Sequence, residues 1–172
     1  MSCLYVVRCN FSDPAQCDAW QRWYSGEKQD WLLSRPGFLA GQRFAAVRST
    51  DGVEFLALYA LESPDALKTP EYNSGWGWGA WRPYIIDWSR NLFDGVEPET
   101  FLTKEDELLR AVFVTSSEAV DTNPDLQWTR VQPGLDGSLV ALGLGRTTGE
   151  PTATEGTEEG LFRPASRARY SS

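Results

Sequence analysis

Trp23-Tyr24-Ser25-Gly26-Glu27-Lys28, followed by Leu32-Leu33-Ser34-Arg35-Pro36-Gly37-Phe38 and then Arg43-Phe44, is the stretch that decides the fold. It reads as the second half of an amphipathic helix, a tight turn and the start of a strand. Cys17, Trp20, Tyr24 and Trp31 recur at spacings of three, four and seven, which predicts one apolar stripe on a helix. Trp23 lies beside that stripe. Ser12-Asp13-Pro14 predicts the helix start, with Ser12 or Asp13 as cap and Pro14 at the first helical position. The helix is expected to run to about Ser34, where Pro36-Gly37 stops it and turns the chain. Glu27 and Lys28 are the anomaly, a charged pair inside an aromatic stripe.

Working outward, Cys3 to Phe11 alternates as a strand. Phe38 to Arg48 and Val53 to Leu61 are two more strands around the loop Ser49-Thr50-Asp51-Gly52. The second of these is almost continuously apolar, as a central strand would be. Ser63-Pro64-Asp65 caps a second helix beginning at Ala66. The Gly- and Trp-rich stretch from Thr69 to Pro83 follows, and Arg90 to Phe93 reads as a short edge strand. The order β-α-β-β-α-β is that of a ferredoxin-like unit, an antiparallel sheet with both helices on one face. Its other face stays apolar and needs a cover, usually a second copy of the unit.

Residues 101–172 read as that copy in reduced form, after a first unit over 1–100. Leu108 to Ser116 parallels the first strand. Leu126 to Gln132 and Ser138 to Arg146, around the turn Pro133 to Gly137, echo the central hairpin. No room remains for a helix between Ser117 and Leu126. Residues 149–160 form a polar Thr-, Glu- and Gly-rich loop, Leu161-Phe162 begins a last strand, and Arg163, Arg167 and Arg169 make a basic tail. The expected fold is α+β: a ferredoxin-like βαββαβ unit and a reduced, mostly β second repeat, together forming an α/β barrel. Closure within one chain or between two, as a homodimer, stays open.

Composition narrows the function. Apolar residues make up 41% of 172, enough for a packed core. A net charge of −8 argues against nucleic acid as a partner. No run approaches the ~18 apolar residues of a membrane span. The apolar first residues lack a basic region and a cleavage signature, so a cytoplasmic location is expected. The three cysteines, Cys3, Cys9 and Cys17, match no zinc pattern and read as reduced thiols. Histidine is absent altogether. That removes a Ser-His-Asp triad, histidine-ligated zinc and histidine-ligated haem. No P-loop or dinucleotide fingerprint occurs, so neither metal nor cofactor is expected. Acid–base chemistry must then use Glu, Asp, Lys, Tyr or Cys.

Among those, Lys28 either snorkels past the aromatics to water or, if desolvated, serves as a general base or Schiff-base amine. Its charge state stays open. Arg43 and Tyr59 can share one sheet face. There Arg43 is a fork for a carboxylate or enolate, or half of an ion pair. Tyr59 donates a hydrogen bond into a cavity, or to a backbone partner. Tyr72 to Trp88, with Trp76, Trp78 and Trp81, is a lid over a planar ligand or a plug for the core edge, and Arg82 and Arg90 are candidates for added anion contacts.

Trp23-Tyr24, Lys28, Pro36-Gly37-Phe38 and Arg43-Phe44 resemble the dimeric α/β-barrel superfamily. Its EthD-like branch carries a W-Y-x-x-x-H-x(7)-P-G-F pattern, similar over about residues 3–95. Tyr59 within Leu58-Tyr59-Ala60-Leu61-Glu62, Ser63-Pro64 and Pro70-Glu71-Tyr72 fit as well. The resemblance implies two sheets forming a barrel, with a ligand cavity in each unit. Relatives include cofactor-free monooxygenases, polyketide cyclases, lactone isomerases and haem-dependent peroxidases. Lys28 stands where the pattern has histidine, so roles needing imidazole do not transfer.

The expected function is a cofactor-independent enzyme acting on a planar, oxygenated, polyketide-like or aromatic metabolite. Cyclisation, isomerisation, dehydration and oxygenation all suit such a site. Lys28 is the base or electrostatic partner, Arg43 the oxyanion stabiliser, and Tyr59 or Tyr24 the proton relay. Trp23, Tyr72, Trp76, Trp78, Trp81 and Arg82 are the expected substrate contacts. The alternative is a non-catalytic carrier that uses the same cavity for an aromatic metabolite.

Overall fold

A computed structural model of the protein describes residues 2–116, 123–151 and 158–172. The strands are β1 (Cys3–Phe11), β2 (Phe38–Ser49), β3 (Phe55–Leu61), β4 (Ile85–Asp94), β5 (Leu108–Val114), β6 (Gln127–Gln132), β7 (Ala141–Thr147), β8 (Glu158–Pro164) and β9 (Arg169–Tyr170). All strand pairings are antiparallel.

The first four strands lie in the order β2-β3-β1-β4, and the next four in the equivalent order β6-β7-β5-β8. The halves join through β4–β6 and β8–β2, which closes an eight-stranded barrel within one chain. The second half thus covers the apolar sheet face that the first half exposes. It does so with strands in the same order.

Alternation sorts each strand into two faces. Leu4 and Val6 of β1, Phe44 of β2, Leu56 and Leu58 of β3, Leu109 and Phe113 of β5, and Phe162 of β8 pack together inside the barrel. Phe101 and Leu102, from the segment joining the halves, join that core. Gln42, buried on the same face of β2, fixes the segment: it donates to the Thr103 carbonyl and accepts from the Thr103 amide, at 3.1 and 2.8 Å. Arg8 also faces inward, stacks on Phe113 at 3.8 Å and pairs with Asp51.

The other face of β1, β2 and β3 carries Tyr5, Val7, Ala57 and Tyr59, and helical segments cover it. These are α1 (Cys17–Trp23), a π-helical turn (Tyr24–Lys28) and α2 (Gln29–Leu33), continuous in the chain. The expected start at Pro14 is displaced. Asp13 caps a separate turn, accepting from the Ala15 amide at 2.9 Å, and the helix begins at Cys17. Gly37 makes the anticipated turn with φ of +83°, a left-handed conformation that suits glycine.

The second helix is shorter than expected. It consists of a 3-10 turn (Pro64–Lys68) and a single helical turn, α3 (Pro70–Asn73). Pro70 has no N–H to continue a helix from Ala66, so Thr69 caps a new turn, accepting from the Tyr72 amide at 3.2 Å. The tryptophan-rich stretch then packs as a 3-10 segment (Gly79–Tyr84) before β4.

Two strand expectations change. The segment at Arg90 is not an edge: β4 lies between β1 and β6. The basic end is not free chain either. β9 pairs with Ala40 and Gly41, Arg169 pairs with Asp30, and the Ser166 hydroxyl accepts from the Arg43 amide at 2.9 Å. The expected lack of a helix after Ser117 and the polar loop from 149 rest in part on residues 117–122 and 152–157, outside the described residues.

Candidate functional site

Between the helical layer and the sheet of the first half lies a cavity of about 130 Å³. Tyr5, Val7, Tyr24, Lys28, Leu32, Tyr59, Tyr72, Gly77, Trp78, Trp88 and Arg90 line it. It sits outside the barrel, whose interior side chains fill. A larger groove of about 470 Å³ beside Cys17 and Ala45–Ser49 is open and polar, and none of the expected site residues reaches it.

The π-helical turn shapes one wall. An extra residue per turn shifts the helix register locally, and Tyr24, Lys28 and Leu32 come to share the cavity face. Lys28 is 8% exposed. Its ammonium lies 4.8 Å from the Trp31 ring and 5.3 Å from Trp76. No carboxylate pairs with it among the described residues. Burial lowers its pKa from 10.5 to about 8, because the charged form loses hydration without gaining a partner.

The tyrosines form a second group. The hydroxyls of Tyr5 and Tyr72 are 3.3 Å apart. Tyr5 and Tyr59 stand opposite each other on β1 and β3. The buried Tyr59 hydroxyl makes no well-formed hydrogen bond among the described residues, and the Tyr24 hydroxyl is its polar neighbour. Burial raises the pKa of Tyr5, Tyr24 and Tyr59, so all three hydroxyls keep their protons and can donate. Tyr59 leans over Gly41 so closely that a Cβ there would lie 2.5 Å from its ring.

Arg90 and Trp88 come from β4 by way of a bulge. Ser89 pairs with Arg8 and Ile86 with Asn10, so Asp87 and Trp88 oppose Cys9 alone. Asp87 takes φ of +52°, and the Asn10 amide donates to its carboxylate at 3.0 Å. The added residue inverts the alternation and turns Trp88 and Arg90 toward the cavity. The Arg90 guanidinium lies 5.1 Å from the Trp88 ring. Partial burial works against its charge, but Tyr5, Tyr72 and Asp136 outweigh this and raise its pKa. Asp136 belongs to the β6–β7 turn, and its carboxylate accepts from the Arg90 amide at 2.6 Å.

The structure therefore gathers Lys28, Tyr24, Tyr59, Tyr72 and Trp78 of the expected residues at one cavity. Trp76 touches it only through Lys28 and is 42% exposed. Trp23 and Trp81 pack against the aromatic core behind Tyr24 and Phe11. Arg82 lies outside, 5.3 Å from the Trp88 ring. Arg43 shares the sheet face of Tyr59 but does not line the cavity. Its guanidinium donates to the Ser25 hydroxyl at 2.9 Å and stacks on Tyr24 at 4.0 Å. The helix intercepts it, so its guanidinium packs on Tyr24 and lies outside the cavity lining. Among the described residues no three His, Cys, Asp or Glu side chains gather to hold a metal ion.

A closed α+β barrel of two ferredoxin-like sheets, with a cavity under the helices of one, is the class that fold and site define. No protein-family model matches the chain, and no curated protein matches it in sequence. Solved structures do match. An anthrone oxidase-like protein aligns over 99% of this chain and 93% of its own, at 10% identity and a TM-score of 0.63. A candidate monooxygenase from Lactobacillus acidophilus covers 99% of both chains at 6% identity and a TM-score of 0.59. Chlorite dismutase from Candidatus Nitrospira defluvii, in complex with imidazole, covers 95% of this chain and 92% of its own, at 7% identity and a TM-score of 0.53. The chain has the general fold of these proteins. Among the described residues no helix is long and apolar enough to cross a membrane.

Proposed function

We propose that this protein is a cofactor-independent enzyme of the EthD-like kind that enolises a planar, oxygenated aromatic metabolite, with Lys28 as the base. The observation that carries the reading is Lys28 itself: a buried amine, unpaired with any described carboxylate, against a cavity of hydroxyls and tryptophan. A charge held there without a partner destabilises the fold, and such a position suits a group whose pKa must lie near the working pH. Neutral Lys28 takes a proton from the carbon beside a carbonyl. The electron pair moves onto the carbonyl oxygen, where tyrosine hydroxyls donate to the enolate. Cyclisation, isomerisation and dehydration begin from such an enolate. So does oxygenation, with dioxygen as the second substrate. The likeness in fold to an anthrone oxidase-like protein and a candidate monooxygenase supports this class of chemistry.

The test is solvent exchange. In D2O, the wild-type protein accelerates deuterium incorporation next to the ketone of phenylpyruvate, read by proton NMR. Lys28→Met lowers that rate about 100-fold or more while circular dichroism shows an intact fold. Full exchange by Lys28→Met removes the amine from the mechanism. Saturable quenching of tryptophan fluorescence without exchange in the wild type assigns the cavity to a carrier.

A further inference from the structure

The cavity carries information about its ligand that the fold does not. Its described lining contains two cationic side chains, Lys28 and Arg90, and no carboxylate. The chain as a whole carries a net charge of −8. A basic, low-dielectric recess in an acidic protein concentrates one sign of ligand. The two cations stand differently. Lys28 leans on Trp31 and Trp76. Arg90 lies beside Tyr5 and Tyr72, whose hydroxyls are 3.3 Å apart. No described carboxylate lies within ion-pair distance of the Arg90 guanidinium; Asp136, which accepts from the Arg90 backbone amide, acts on it at longer range. One of the Tyr5 and Tyr72 hydroxyls donates to the other, which leaves one phenol proton beside the guanidinium fork, and that pair matches a planar anionic group such as a carboxylate.

Size sets the other limit. An apolar cavity of about 150 Å³ holds benzene, and this one measures about 130 Å³. Trp78 supplies a flat wall, 5.4 Å from Tyr24 and 5.8 Å from Trp88, and Leu32 and Val7 are apolar neighbours. The recess is on the scale of one ring rather than three fused rings, and the exposed Trp88 at its edge leaves it open on one side.

We infer that the ligand is a single-ring aromatic anion, its charged group held by Arg90, Tyr5 and Tyr72 and its ring against Trp78. The inference deepens the proposed function by narrowing its substrate class, and it assigns Arg90 and Tyr5 to ligand binding. The multi-ring polyketide class is replaced by compact aromatic acids and phenolates.

Calorimetric titration with benzoate, benzamide and anthracenecarboxylate tests it. Benzoate cannot enolise, so its binding reports on the cavity apart from any reaction. In the wild type, benzoate binds about tenfold or more tightly than its uncharged isostere benzamide, and anthracenecarboxylate binds more weakly than benzoate. Arg90→Gln removes most of the preference for benzoate and leaves what Lys28 alone supplies. Tyr72→Phe, a change confined to one hydroxyl, reduces it by a few fold and serves if Arg90→Gln does not fold. Arg82→Gln removes a neighbouring charge outside the cavity and leaves the preference intact. Equal binding of benzoate and benzamide, tighter binding of anthracenecarboxylate, or an unchanged preference in Arg90→Gln overturns the inference. A wild type that prefers benzoate yet catalyses no exchange with phenylpyruvate overturns the enolising reading and upholds this inference.

Discussion

Replacing Lys28 by Met makes the protein more stable at pH 7, because it removes a buried amine that lacks a described ion-pair partner. Met keeps the length and apolar stem of lysine without its charge. The magnitude follows from the titration. Folding lowers the Lys28 pKa from 10.5 to about 8. Below pH 8 both folded and unfolded chains hold the proton, and the full penalty of burying the charge stands. Between pH 8 and 10.5 the unfolded chain holds the proton and the folded chain does not, so wild-type stability rises with pH. At ~1.36 kcal/mol per pH unit the penalty at pH 7 is roughly 3 kcal/mol. Residual exposure and the attraction of the Trp31 and Trp76 rings reduce the expected gain to about 2 kcal/mol. By pH 10 most of that difference is gone. Urea denaturation of both proteins at pH 7, 8.5 and 10, followed by tryptophan fluorescence, reads the gap directly. The buried tyrosines stay protonated in the fold and ionise near pH 10 only in the unfolded chain; this affects both proteins alike and cancels in the difference. A Lys28→Met protein no more stable than wild type at pH 7, or a gap constant with pH, refutes the reasoning.

If neutral Lys28 is the base, the exchange rate with phenylpyruvate rises with pH through an apparent pKa near 8 and levels off above it. A rate flat from pH 6 to 9 excludes the assignment. Gly41→Ala places a Cβ 2.5 Å from the Tyr59 ring. It should destabilise the fold by about 1–3 kcal/mol and weaken benzoate binding, measured by melting and calorimetry. Arg8→Met leaves Asp51 with only Ser49 and Val53 as partners near the barrel core. A loss of about 3 kcal/mol is expected at pH 7. In the wild type, burial works to raise the Asp51 pKa, but the bonds from Ser49, Val53 and Arg8 outweigh it and lower it. That contribution is present at neutral pH and fades as pH falls through the lowered pKa.

The half of the site on the helix was legible because its signal is local. Trp20, Tyr24 and Trp31 mark one stripe, Lys28 breaks it, and Pro36-Gly37 ends it. The sheet order followed from the order of elements, and the second half repeats it strand for strand. What escaped depends on geometry between elements. Arg90 is a candidate anion contact in the sequence, but the bulge at Asp87 that inverts the alternation of β4 and turns Trp88 and Arg90 to the cavity leaves no mark in the run Ile85 to Asp94. Tyr5 could have been found, since the β1–β3 pairing of a ferredoxin-like sheet sets it across from Tyr59. Arg43 was placed on the correct face. Its reach could not be read, because Ser25 and the Tyr24 ring hold it only once the helix has docked. The short second helix was foreshadowed by Pro70, read as part of a motif when its missing N–H was the stronger signal.

Enolisation in this cavity requires Lys28 to be a desolvated amine poised near neutrality. Heteronuclear NMR of lysine labelled with 13C at the ε carbon, with Lys28→Met to assign its signal, measures that state without a substrate. The predicted titration midpoint is near 8, as burial requires. A midpoint near the ordinary lysine value of 10.5 would place the amine in water and contradict the account.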